Sequence, residues 1–393
     1  MSVHATRRPP ALDKDGKPTR DHPSGPLPKP AKKRRDPLWA KLTVAFGAVL
    51  ILTSGAGVAG TKWFVHSASG AVTQENLLGG TKKNEAEGGG DIKGAVDILL
   101  MGVDARKRWA VDDLRSDTII ALHIPASHDQ AYLVSIPRDT EMNVPAFPKA
   151  SYPGGTAKAT EVFFHGAQNG GGWAGGAQLM AQTIKENTGM NFDGAAIIDF
   201  NGFKGIIDAL KGVRMCVDQR VKSHHILMVD GKPLYLADAR KVGGTKKEIW
   251  YEKGCQDMEG WQALDYARQR YGLKNGDYDR QRHQQQLIKA IAKKAANSGV
   301  LTNPVKVNGL IKAAGDAFVL DTGDVAVADF IFGLKGVAAN DMVLLRTNNG
   351  TFAGNGAGRE TITPKSMEMY EAVKKDKLAE FILANPDVVA NEK

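Results

Sequence analysis

A run of 20 residues without a charge, LTVAFGAVLILTSGAGVAGT (42–61), constrains this chain more than any other feature. As a helix that length crosses the hydrocarbon core of a bilayer. It lies some forty residues into the chain and is longer than the apolar region of a cleaved signal peptide. The cluster Lys32, Lys33, Arg34, Arg35 just before it is not a flank that a buried core helix would carry. The positive-inside rule puts that cluster in the cytoplasm. Residues 38–62 are therefore read as one transmembrane helix, with the cell membrane as the location and everything after Lys62 outside the cytoplasm.

Composition divides the chain on either side of this span. Residues 1–37 hold ten Lys/Arg against four Asp/Glu, so they account for +6 of the formal +9 and leave +3 for everything else. Proline-rich and nearly without large apolar side chains, they cannot bury enough surface to offset ordering, and read as a disordered cytoplasmic tail. A body that is close to neutral, with no helix-turn-helix or zinc-finger spacing, excludes a nucleic-acid-binding role. Residues 63–95, rich in Gly, Ser, Asn and Glu, read as a flexible extracellular stalk. The folded domain is expected over 96–385. In an exported body Cys216 and Cys255 become a candidate disulfide, worth ~4 kcal/mol on the chain-entropy account; two buried thiols are the alternative.

Three apolar runs open this domain: VDILLMGV (96–103), ending on Asp104; TIIALHI (118–124), starting after Asp117; and AYLVSIP (131–137), ending before Arg138. The short connection between the second and third favours an antiparallel hairpin, and the first is taken to pair antiparallel to the second as well. That brings the end of the first, the start of the second and the end of the third to one sheet edge, so Asp104, Asp117 and Arg138 should converge. Two carboxylates at such an edge suit magnesium, which is commonly held by one or two carboxylates together with substrate phosphate; capping of turns is the plainer use of both aspartates.

Four arginines crowd into 265–284, DYARQRYGLKNGDYDRQRHQ. Arg268 and Arg270, two apart, would point the same way from an extended backbone. A loop at 272–276 follows, and then a helical apolar period begins. Arg280 and Gln284, four apart, share a face at its start, where free N–H groups and the helix dipole favour anions. Guanidinium forks, an amide and a helix start are the parts of a phosphate site, although basic clusters often are only solvated surface.

The segments GVDAR (102–106), RSDT (115–118), SIPRD (135–139), DFNGFKGIIDALKGVRMCV (199–217), GWQALDYARQR (260–270) and GDYDRQRHQQQ (276–286), in this order, resemble the LytR-CpsA-Psr family. The resemblance implies an α/β fold with a central mixed, antiparallel-rich sheet flanked by helices. It also implies a membrane-anchored enzyme of the Gram-positive cell envelope that transfers a glycopolymer (teichoic acid, capsule or arabinogalactan) from a polyprenyl-pyrophosphate carrier to peptidoglycan through a phosphodiester link. A pyrophosphatase acting on the same lipid-linked glycan, or a noncatalytic polyprenyl-phosphate-binding attenuator, are the alternatives. By resemblance Asp104 and Asp117 match the Mg2+ ligands, with Mn2+ as a substitute. Arg138, Arg268, Arg270 and Arg280 match the pyrophosphate-binding arginines, joined by Gln284. Asp139 and Asp277 are candidates by position for the general base, unless bulk water serves. Phe200, Phe203, Ile206, Ile207 and Leu210 recur at helical spacing and fit either a lipid tunnel or ordinary core.

Two departures from the family pattern stand out. His283 occupies the position before the glutamine that is usually arginine, so any contribution it makes should depend on its protonation. Arg282, turned about 100° round the helix, would not replace that arginine. In KATEVFFHGAQNGGGWAGG (158–176) Lys158 is kept, Thr160 stands where asparagine is usual, and the glycine-rich insert reads as an acceptor loop or a mobile one. Towards the C-terminus, 301–322 and 324–337 read as helices, MVLLRT (342–347) as a strand, and 366–383 as a closing helix.

Overall fold

Alternation along three strands sets the architecture. In a computed structural model of the chain, which describes residues 73–81, 94–104, 114–300, 303–322 and 342–390, Leu99 and Met101 point to one face of a sheet and Ile98 to the other, as the period of two requires. The basic tail, the expected span, residues 82–93 and the expected helix at 324–337 lie outside the described residues. Among the described residues no helix is long and apolar enough to cross a membrane.

The strands are β1 (Thr73–Gln74), β2 (Val96–Val103), β3 (Ser116–Ile124), β4 (Ala131–Ser135), β5 (Glu141–Val144), β6 (Gly155–Lys158), β7 (Gly194–Asp199), β8 (Val213–Val217), β9 (Val221–Val229), β10 (Lys232–Tyr235), β11 (Lys246–Tyr251), β12 (Gly254–Met258), β13 (Phe318–Asp321) and β14 (Met342–Leu345). Seven of them form the central sheet in the order β1-β13-β7-β2-β3-β4-β14. Three of its six pairings are antiparallel and three parallel, the expected mixed sheet.

The helices are α1 (Ala159–Ala167), α2 (Gly172–Thr188), α3 (Phe200–Ala209), α4 (Leu236–Ala239), α5 (Gly260–Arg268), α6 (Asp277–Asn297), α7 (Pro304–Ala314), α8 (Pro364–Lys374) and α9 (Leu378–Ala384). On one face of the sheet the main core unites Leu99, Met101 and Val134 with Phe163 of α1, Leu179 and Ile184 of α2, and Tyr370 of α8. On the other, Ile98, Ile120 and Leu133 meet Ile288 and Ala292 of α6, and Leu320 meets Val307 and Ile311 of α7. Helices on both faces make an α/β sandwich, as expected.

The structure departs from the sequence reading at four places. Residues 73–81, inside the expected stalk, belong to the body: Thr73 and Gln74 pair with β13, Leu77 and Leu78 are fully buried, and their N–H groups donate to the Asp321 carboxylate at 2.8 and 3.2 Å. Two adjacent leucines suffice for this anchor but are too short to show a period. The glycine-rich insert is not a loop but the crossing of α1 and α2. A Cβ on Gly175 would lie 2.4 Å from the Gly166 carbonyl oxygen, so the helices approach this closely only without side chains. The helix expected over 301–322 ends at Ala314 on Gly315 (φ 57°), and Phe318–Asp321 becomes β13. The closing helix is two, α8 and α9, broken where Asp376 takes φ 53°.

Cys216 and Cys255 lie opposite each other in the antiparallel pair β8/β12 and are joined as a disulfide across a separation of 39 residues.

Candidate active site

β2 and β3 pair with Val103 opposite Ser116, and β3 pairs antiparallel with β4. Asp104, Asp117 and Arg138 are therefore carried to the same sheet edge. Arg138 Nη1 donates to Asp117 Oδ1 at 2.8 Å. Behind the loop at 269–276, α6 starts at this edge with Asp277 and Asp279 in its first turn, where the dipole favours them. Arg280 Nη2 then reaches the Asp117 backbone carbonyl at 3.1 Å and Asp277 Oδ1 at 2.9 Å. Arg138 Nε lies 3.2 Å from the same Oδ1. The result is two carboxylates and two guanidinium groups interleaved, from positions scattered over the chain.

Burial alone would raise the carboxyl pKa values of Asp117 and Asp277. Arg280 and Arg138 outweigh it and hold both below the usual range. Both stay ionised, and a carboxylate so stabilised is a weak base. Of the two candidate bases this weakens the case for Asp277. Asp139 instead meets Lys158 Nζ at 2.8 Å and Arg138 Nε at a longer 3.6 Å.

Buried polar atoms of both kinds lack hydrogen-bond partners here, the acceptor Asp277 Oδ1 as well as two guanidinium donors. Arg138 Nε and Arg280 Nε are buried N–H groups without a hydrogen-bond acceptor; the Arg138 contact with Asp277 is close enough for an ion pair but not aligned as a hydrogen bond. Guanidinium donors without an acceptor at this edge suit an oxyanion such as a phosphate.

The remaining predicted residues divide. Arg268, the last residue of α5, lies 3.4 Å from Asp104 Oδ2 and stacks at 3.8 Å over Phe200 at the start of α3. Arg270 is directed elsewhere: α5 ends at Arg268, Gln269 follows in an extended conformation, and Arg270 Nη2 donates to the exposed Tyr271 hydroxyl at 2.7 Å. Gln284 is half-buried one helical turn beyond Arg280.

Arg282 and His283 belong to a second cluster. Arg282 pairs with Asp218 and, at 3.0 Å, with Asp279. His283 is fully buried, lies 3.0 Å from Asp218 Oδ1 through Nε2 and stacks on Tyr266 at 4.4 Å. Burial pushes the His283 pKa down against the opposing pull of Asp218. It faces Asp218, whereas Arg280 faces Asp117.

Two residues at the edge were not foreseen as parts of the site. Lys158 meets Asp139, and Thr160 Oγ1 donates to Asp117 Oδ1 at 3.3 Å. The retained Lys158 was the available signal; Thr160, standing in an asparagine position, gave none.

Magnesium fits the donor set here by chemistry. Asp104 and Asp117 follow directly from paired strand positions, and substrate phosphate can complete the oxygen shell that two carboxylates begin. Among the described residues no group of three or more His, Cys, Asp or Glu could hold a metal on its own.

The LytR_cpsA_psr family model matches residues 61–376, most of the chain. The chain belongs to this family. It is 26% identical over 391 residues to "Cell wall biosynthesis protein LcpA" of Corynebacterium glutamicum, covering 93% of this chain and 70% of that one. It is 31% identical over 211 residues to "Polyisoprenyl-teichoic acid--peptidoglycan teichoic acid transferase TagU" of Oceanobacillus iheyensis, covering 53% and 54%. The chain thus spans about half of that relative, and 48% of "Probable cell wall biosynthesis protein LcpB" of C. glutamicum, with which it is 30% identical over 238 residues. In fold it is similar to protein gbs0355 from Streptococcus agalactiae (TM-score 0.55, 19% identity, 72% of this chain and 88% of that one). The structure titled "TagT bound to LI-WTA" is also similar (TM-score 0.51, 19% identity, 78% and 98%).

Proposed function

We propose that this protein is a membrane-anchored phosphotransferase that moves a cell-wall glycopolymer from a polyprenyl-pyrophosphate carrier onto peptidoglycan, outside the cytoplasm. The observation that carries the reading is the pair of buried, acceptor-less Nε donors on Arg138 and Arg280 beside two ionised aspartates. Relatives named for teichoic acid transfer and cell-wall biosynthesis support the substrate class.

A sugar hydroxyl of peptidoglycan attacks the glycan-bearing phosphorus, a new P–O bond forms, the bond to the bridging oxygen breaks, and polyprenyl phosphate leaves with the negative charge. Arg138 and Arg280 bind the oxygens on which this charge gathers, preorganised by Asp117 and Asp277 so that little rearrangement accompanies the reaction. Arg268 and Gln284 hold the far phosphate and the first sugar. Asp139 takes the hydroxyl proton, held in place by Lys158. Asp104 and Asp117 would hold Mg2+, or Mn2+ in its stead, which supplies further neutralisation of phosphate charge. The apolar run at 42–61 keeps the site close to a lipid-borne substrate.

The test uses the full chain in lipid nanodiscs, a polyprenyl-pyrophosphate glycan and peptidoglycan. Glycan should become phosphodiester-linked to peptidoglycan, and the linkage should vanish in Arg138→Ala and Asp117→Ala. Free phosphorylated glycan as the sole product would mean hydrolysis instead, and unchanged transfer in both variants would remove the site assignment.

A further inference from the structure

A second cleft opens on the outer side of α6, about 380 Å3 in volume, between that helix and β8. Arg214, Lys289, Lys293 and Lys294 line it together with Gln286 and Asn297, and no carboxylate is among its lining residues. Gln286, Lys289, Lys293 and Asn297 recur three and four apart, which makes them one stripe of the helix. At 100° per residue this stripe is about 120° round the helix from Arg280, so it is not a continuation of the phosphate-binding face. Lys293 is about 20 Å along the axis from Arg280 at 1.5 Å per residue.

Gln286 distinguishes this cleft from a solvated basic face. It is 7% exposed, yet its Nε2 and Oε1 are both buried without a hydrogen-bond partner. A buried amide that satisfies neither its donor nor its acceptor is costly, and a ligand carrying hydroxyl groups would satisfy both. Lys293 and Lys294 beside it favour negative charge. Arg214 shares its guanidinium with Asp257 at 3.5 Å, in an exposed pair that binds weakly and can open. The far wall, Met215 and Cys216, is fixed by the disulfide to Cys255.

We infer that this cleft binds an anionic saccharide chain, the amide of Gln286 engaging sugar hydroxyls while Lys293 and Lys294 meet phosphate or carboxylate groups along it. The inference rests on the transferase reading for its biological sense: a polymer whose reacting end is at Arg138 and Arg280 needs a track for the repeats that follow. A concave cleft with an amide at its floor suits an inserted chain rather than a flat lipid surface.

The test is a titration with the full chain that involves no transfer, so its outcome stands whether or not the transferase reading survives. Poly(glycerol phosphate) oligomers, oligogalacturonate and neutral malto-oligosaccharide are the probes, and phosphatidylglycerol vesicles the control. At least one anionic oligomer should bind, more weakly at higher salt, while the neutral one does not; which oligomer binds tells phosphate-bearing from carboxylate-bearing chains. The double variant Lys293→Gln, Lys294→Gln should weaken binding about tenfold. Gln286→Leu should weaken it severalfold while the thermal midpoint stays the same or rises, because the unsatisfied buried amide is removed. Equal affinity in wild type and both variants would overturn the inference. So would adsorption to the vesicles with no oligomer bound.

Discussion

Replacing Arg138 by lysine separates charge from geometry at the proposed centre. The guanidinium touches Asp117 through Nη1 at 2.8 Å and Asp277 through Nε at 3.2 Å, and Nε has no hydrogen-bond acceptor. One lysine ammonium keeps the charge but cannot occupy both positions, since it is a single point on a flexible stem. Loss of one preorganised donor at a site of developing negative charge typically costs 10²- to 10³-fold in rate, or about 2.7–4 kcal/mol of barrier. Stability should move far less. The side chains are only 18%, 32% and 22% exposed, but lysine keeps the charge, so what is lost is about one hydrogen bond, or about 1 kcal/mol. The assay is initial-rate transfer of lipid-linked glycan to peptidoglycan, with a denaturant melt of the same samples. Transfer should fall about a hundredfold or more at nearly unchanged unfolding midpoint. A rate within about threefold of wild type would refute the role assigned to the fork, because charge alone would then suffice.

Two further outcomes follow from the buried clusters. His283 has a folded pKa depressed by burial, with Asp218, Arg282 and Asp279 around it; stability is therefore full above its unfolded pKa of about 6.5 and declines as pH falls through the folded value, by up to about 1.4 kcal/mol per pH unit. His283→Gln should flatten that decline in melts at pH 7.5, 6.5 and 5.5, and equal slopes in the two proteins would discard it. Leu77→Ala should destabilise the body by about 2–5 kcal/mol, the usual cost of a fully buried leucine; a cost under about 1 kcal/mol in chemical denaturation would show that residues 73–81 are the loose stalk after all.

Much of the candidate site was legible because its logic is local. Period-two alternation and a short connection gave the pairing of β3 with β4, and with it the meeting of Asp117 with Arg138. Helical period placed Arg280 on α6 and set Arg282 apart from it. Arg270 was misread because the direction of its side chain depends on where α5 stops, which is a matter of capping and packing rather than of spacing. The glycine-rich insert was misread because GGG and GG mark flexibility and close helix contact alike, and only the neighbouring Gly166 carbonyl distinguishes them.

By itself the sequence determined the uncharged run at 42–61, the strand periods and the family motifs, all of which are properties of neighbours along the chain. Only the tertiary structure decided that Leu77 and Leu78 belong to the core, that Lys158 and Thr160 stand beside the aspartates, and that His283 turns to Asp218. It also decided that Gln286 is buried without a partner in a cleft of lysines. Each of these depends on which distant surfaces exclude water from a side chain, and burial is set by packing between elements that no local period encodes.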